Sequence, residues 1–200
     1  MTFENDKRNC MKKLVELDKS RKGSVDDRVK ELVEYINSLD DYYTTSSCSG
    51  RIILLKVPES QKKHEFEWLL CSHELVDFSD VWTAVQDLNK LETGFPQELI
   101  WLRMEGHIIH VCARSVDHAN KLLKIARGIG LKRSGIISIG ARITVEIESA
   151  AHADCMIGRF GELLVGEKYL RLVVDELNCR LGKEFKKIQT LETEVKENIS

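Results

Sequence analysis

The sequence predicts an α+β protein: a mixed, largely antiparallel β-sheet covered by helices, in a single domain spanning residues 1–200. Three observations carry this. Apolar residues recur at helical spacing in several segments, the longest at the C-terminus. Short apolar runs are joined by glycine-containing turns, at Glu105-Gly106 and at Gly140, which is the signature of hairpins. A strand followed by a helix occurs twice, at Glu65–Leu91 and His107–Gly128, a recurrence compatible with an internal duplication. A doubly wound parallel sheet fits poorly. No Gly-x-Gly-x-x-Gly follows a first strand, and Gly128-Ile129-Gly130 reads as a helix ending.

In chain order, Lys7 to Lys19 suggests a first helix. Val25, Val29, Leu32, Val33 and Ile36 then form an apolar face, with Ser24 placed to cap the helix and Asp26 and Asp27 favourable in its first turn. This helix ends near Asp40 and feeds a Ser/Thr-rich loop. Arg51 to Val57 and Glu65 to His73 read as strands, and Ser79 to Leu91 as a helix carrying Val81, Trp82, Val85 and Leu88. Two strands follow, Glu98 to Met104 and His107 to Ala113. Asp117 to Gly128 is a helix with Ala119, Leu122, Leu123 and Ala126 on one face. Ser134 to Ile139 and Arg142 to Ile147 read as a hairpin, and Leu163 to Val165 as a short strand. The closing helix, opened by Glu167, carries Leu170, Val173, Leu177, Leu181, Phe185 and Ile188 as a continuous stripe.

Two hundred residues suffice for a sizeable core. No apolar run approaches the roughly 20 residues of a membrane helix, and the charged N-terminus has no signal-peptide core, so a cytoplasmic location is expected. None of the six cysteines forms a Cys-x-x-Cys pair, which argues against a zinc site. Reduced thiols are expected, with Cys71 and Cys112 as small core residues. The net charge of −2 excludes a generally basic polyanion binder, though basic clusters occur at Lys19, Arg21 and Lys22, at Lys62 and Lys63, at Lys132 and Arg133, and at Lys183, Lys186 and Lys187.

The densest chemistry lies in Tyr42-Tyr43-Thr44-Thr45-Ser46-Ser47-Cys48-Ser49-Gly50-Arg51, which runs straight into the apolar strand Ile52–Leu55. Small hydroxyl side chains before a glycine let backbone approach a ligand closely, and Arg51 offers a planar fork for phosphate or carboxylate. The same composition also fits a Ser/Thr-rich turn between helix and strand. His110 stands in an alternating segment, so its ring is expected on the side opposite Ile109 and Val111.

These residues carry a resemblance. Ser20-Arg21-Lys22-Gly23-Ser24-Val25-Asp26, Thr44 to Arg51, Trp68-Leu69-Leu70 with His73, Ile109-His110-Val111, Gly130 to Ile136, and the helix opened by Glu167-Lys168-Tyr169-Leu170 and containing Asn178 follow one another in order. The stretch from Ser20 to Asn178 resembles the wybutosine-synthesis methyltransferase family, which acts on phenylalanine tRNA in archaea and eukaryotes. The resemblance implies methyl transfer from S-adenosylmethionine to a ring nitrogen, N4, of the tricyclic wyosine-type base next to the anticodon. It also implies a fold unlike the usual parallel-sheet methyltransferases and a tRNA-Phe substrate carrying a wybutosine precursor; from the cysteine spacing, no structural metal is expected. On it, His110, Ser47 and Cys48 are the candidate catalytic residues. Thr45, Ser46, Ser49, Gly50 and Arg51 are assigned to the cofactor. Trp68, His73, Lys132, Arg133, Ser134 and Gly135 are assigned to the RNA or its base. Two other functions fit the same residues: a non-catalytic RNA-binding module, and a thiol-dependent enzyme acting through Cys48.

Overall fold

A computed structural model describes residues 2–15, 25–88, 98–159 and 162–200. The basic segment around Lys19, Arg21 and Lys22, the proposed cap Ser24 and the end of the helix at Leu91 lie outside the described residues. The elements run α1 (Phe3–Val15), α2 (Asp27–Ser38), β1 (Tyr42–Cys48), β2 (Arg51–Val57), a 3₁₀ turn (Lys63–Glu65) and β3 (Glu67–Ser72). After these come α3 (Phe78–Leu88), β4 (Leu99–Glu105), β5 (Ile108–Ala113), α4 (Val116–Gly128), β6 (Gly135–Ile139), β7 (Ile143–Glu148), β8 (His152–Arg159), β9 (Glu162–Leu163) and α5 (Glu167–Asn198). No helix among the described residues is long and apolar enough to cross a membrane.

The fold is α+β with antiparallel pairing throughout, as expected, but the strands form two sheets rather than one. Sheet A has the order β1-β5-β7-β6 and sheet B the order β3-β2-β4-β8-β9. Each belongs to its own compact unit. The first unit comprises residues 1–49, 106–150 and 184–200, and the second residues 50–105 and 151–183.

In the first unit, one face of sheet A carries Tyr42, Ile109, Val111, Ala113, Val145 and Ile147 into a core with α2, α4 and the end of α5. Val29, Leu32, Val33 and Ile36 of α2 recur at i, i+3, i+4 and i+7, the spacing that brings side chains to one helix face, and all are buried. Ala119, Leu122, Leu123 and Ala126 do the same for α4, whose N-terminus is capped by Ser115 accepting from the His118 N–H. Fully burying each such leucine is worth about 2 kcal/mol. Helix α1 packs on the opposite face of sheet A, where Phe3 lies 5.2 Å from Tyr43 and Arg142 pairs with Asp6.

In the second unit, β2 joins β3 and β4, and β4 joins β8. Asn178 of α5 closes a pair of bonds with the Val76 backbone, accepting from its N–H at 2.9 Å and donating to its carbonyl at 2.8 Å.

Several expectations are corrected. The stretch read as a Ser/Thr-rich loop is strand β1 for most of its length. Tyr and Thr at its start favour the pleated backbone, and only Ser49-Gly50 turns, with Gly50 at φ 95°, a conformation suited to glycine. The Glu105-Gly106 hairpin does not form, because β4 and β5 belong to different sheets. Strand β8 was not anticipated: Ala153, Asp154, Cys155 and Gly158 have no apolar signature, and β4 supplies the apolar partners. Asp26, expected in the first turn of helix α2, is its N-cap residue. Cys112 is buried as expected, whereas Cys71 on edge strand β3 is exposed. The Gly135–Ile139 and Ile143–Glu148 hairpin forms as read.

Candidate active site

A row of residues, one per strand, crosses sheet A in the first unit. Antiparallel register sets Ser46 of β1 opposite His110 of β5, His110 opposite Glu146 of β7, and Glu146 opposite Gly135 of β6. Directly paired residues share a face. Ile109 and Val111 are fully buried on the helix side, so His110 faces the other way, as its alternation implied.

The row is hydrogen-bonded. Ser46 Oγ lies 2.8 Å from His110 Nδ1, and His110 Nε2 lies 2.8 Å from Glu146 Oε2. The carboxylate oxygen accepts, so Nε2 carries the ring proton and Nδ1 accepts from the Ser46 hydroxyl. The His110 and Glu146 side chains are 29% and 26% exposed, open to a ligand yet held in one orientation. A hydroxyl backed by an imidazole that is itself backed by a carboxylate can take up a proton and pass it inward, the logic of a hydrolase triad on a different scaffold. Gly135 ends the row without a side chain, and a Cβ there would meet nothing within 4 Å.

A β-bulge decides which hydroxyl belongs to the row. The register shifts between Thr44 and Ser46, so Thr45 is the extra residue and lies exposed. Beyond the bulge Ser46 and Cys48 share the His110 face, while Ser47, opposite Ile109, turns to the helix side. Ser47 is therefore replaced by Ser46 as the partner of His110. Strict alternation from Tyr43 would have placed Thr45 and Ser47 beside the histidine.

Other assigned residues are held by internal bonds. Ser49 is fully buried, with its N–H and hydroxyl both donating to Asp26 Oδ2 at 2.9 and 3.1 Å. It fixes the turn after β1 instead of facing a ligand. Ser134 is buried too: its hydroxyl accepts from the Glu148 N–H at 3.1 Å, and its carbonyl accepts from Arg127 at 3.1 and 2.8 Å. It ties the loop to β7 and offers no hydroxyl to a phosphate. Lys132 and Arg133 are exposed beside it.

In the second unit, Arg51 opens β2, with Nε 2.8 Å from Glu105 Oε2 and its guanidinium 4.9 Å from the Trp68 ring centroid. Trp68 is 39% exposed, which makes it a surface aromatic rather than a core one. His73 follows β3 and is half-buried. Glu146 and Glu105, the carboxylates that orient His110 and Arg51, were not anticipated. The alternation Ile143, Val145, Ile147 could have placed Glu146 on the outer face, but only strand pairing places it beside His110.

A family model described as Methyltransferase TYW3 matches residues 5–197. The tRNA(Phe) 7-((3-amino-3-carboxypropyl)-4-demethylwyosine(37)-N(4))-methyltransferase 1 of Pyrococcus furiosus is 36% identical over 176 residues, covering 88% of this chain and 86% of that one. A protein of Pongo abelii, the tRNA wybutosine-synthesizing protein 3 homolog, is 33% identical over 193 residues, 94% of this chain and 70% of that one. A solved structure from Pyrococcus horikoshii superposes with a TM-score of 0.86 at 34% identity, covering 97% of this chain and 96% of that one.

Proposed function

The chain belongs to the Methyltransferase TYW3 family, and we propose that it transfers a methyl group from S-adenosylmethionine to N4 of the 4-demethylwyosine-type base next to the anticodon of tRNA-Phe. The observation that carries this reading is the Ser46–His110–Glu146 row. A ring N–H that is methylated must lose its proton, and the row offers an acceptor for it. The Ser46 hydroxyl receives the proton from the ring nitrogen while giving its own to His110 Nδ1, and Glu146 stabilises the imidazolium so formed through the Nε2–H. When bound, S-adenosylmethionine supplies an electrophilic methyl group on a sulfonium, so no covalent enzyme intermediate is needed. Cys48 is accordingly assigned to the wall beside the row and not to nucleophilic chemistry.

Arg51 fits the donor's amino-acid end. A guanidinium is the natural partner of a carboxylate, and Glu105 and Trp68 hold it in place. Ser49 does not fit that role, since Asp26 takes both of its donors.

The test is incubation of the purified protein with S-adenosylmethionine labelled in its methyl group and tRNA-Phe bearing the 4-demethyl precursor. Label is expected on N4 of that base. Absence of label in RNA, with donor and precursor both intact, would overturn the reading.

A further inference from the structure

We propose that the outer face of sheet B in the second unit is a stacking platform for unpaired RNA bases of the substrate. The inference rests on RNA being that substrate. Register places Arg51, Ile53, Leu55 and Val57 of β2 on one face with Trp101, Arg103 and Glu105 of β4 and with Asp154 and Met156 of β8. Ile53, Leu55 and Val57 form a small apolar cluster of their own against Phe66 and Trp101, to which no helix residue contributes among the described residues. Above this floor lie two tryptophans, each under an arginine. The Arg103 guanidinium sits 5.0 Å from the Trp101 ring centroid, and Arg51 sits 4.9 Å from that of Trp68. Trp68 and Met156 are 39% and 44% exposed and add accessible apolar surface to this face.

The partner is identified by this chemistry. Nucleobases stack on tryptophan faces and on guanidinium planes, and a polarisable methionine packs against either. The carboxylates Glu105 and Asp154 hold the two arginines, Asp154 Oδ1 lying 3.5 Å from Arg103 Nε. With its carboxylate paired, the Arg103 guanidinium acts as a flat stacking surface more than as a phosphate clamp. Binding at this face is therefore carried by stacking and depends weakly on salt.

The experiment uses the whole chain with Trp82→Phe, which leaves Trp68 and Trp101 as its only tryptophans. It is titrated with an unmodified tRNA-Phe transcript while tryptophan emission is followed, and donor affinity and precursor methylation are measured separately. Quenching is expected. Arg103→Ala and Met156→Glu are each expected to weaken RNA binding roughly tenfold with donor affinity unchanged. Arg103→Lys, which keeps the charge and loses the plane, is expected to resemble Arg103→Ala. RNA bound with no quenching, or with affinity untouched by these variants, would overturn the platform and leave the methyltransferase reading standing. Recovery of full affinity in Arg103→Lys would overturn it too, by showing that charge alone acts there. Absence of methylation despite quenched, variant-sensitive RNA binding would overturn the proposed reaction and keep the platform.

Discussion

Two histidines three residues apart in sequence each pair with a glutamate, and the two pairs do different work. His110 and Glu146 are partly exposed on sheet A. His107 and Glu184 are 0% and 1% exposed, with Nδ1 2.8 Å from Oε2, and Lys187 donates to the other carboxylate oxygen at 2.7 Å. Burial alone would raise the Glu184 pKa, but hydrogen bonds from His107, Lys187 and Ser149 outweigh it and hold the group down to about 2. A carboxylate depressed in the folded state stabilises the fold above its unfolded pKa, near 4.5 here, and loses that contribution as pH falls through about 2. Acid unfolding of the wild type should therefore steepen between these values. Glu184→Ala is expected to cost about 3 kcal/mol near neutral pH, by stranding buried donors, and to flatten that acid limb; denaturant titrations across pH measure both. At the exposed pair, Glu146→Gln should fold normally and slow methyl transfer by about tenfold or more, because a neutral amide no longer stabilises the imidazolium formed on proton uptake. Cys48→Ser should keep most activity, and a complete loss would favour thiol chemistry.

Elements were legible where periodicity alone determines them. Helix α2 shows its buried face as Val29, Leu32, Val33 and Ile36, and Leu32→Ala should destabilise the protein by about 2–5 kcal/mol, seen as a lowered Tm. Strand β2 was placed at its observed bounds, because an unbroken apolar run beginning at Arg51 has few other readings. Illegible elements depend on a partner strand. The Thr45 bulge turns Ser46 and Cys48 toward His110, and no local propensity in Thr44-Thr45-Ser46 announces it. Strand β8 is defined by β4, and its Gly158 is required by close approach. A Cβ there would meet Ile100 Cδ1 at 2.7 Å and the Glu162 carbonyl at 2.8 Å. Gly158→Ala should cost about 1–3 kcal/mol by forcing β9 or Ile100 aside, read by equilibrium unfolding.

At the scale of the molecule, resemblance carried further than composition. A net charge of −2 gives no hint of an RNA substrate, whereas ordered motifs spread along the chain pointed to the family whose model matches residues 5–197. Which segments make up each of the two units was not visible, because each unit is assembled from stretches far apart in sequence. Chain order also suggested a Glu105-Gly106 hairpin at what proves to be a crossing from one sheet to the other. The candidate site was half legible: His110 and its orientation followed from alternation, while its serine and carboxylate followed only from register. The measurement that bears most directly on the role of the row is single-turnover methylation of the tRNA-Phe precursor by wild type and His110→Ala under saturating donor and RNA. A fall of about 10²–10⁴ in rate, with donor and RNA affinities retained, is expected of a proton acceptor. A rate within about twofold of wild type, well inside the loss such catalysis implies, would contradict it.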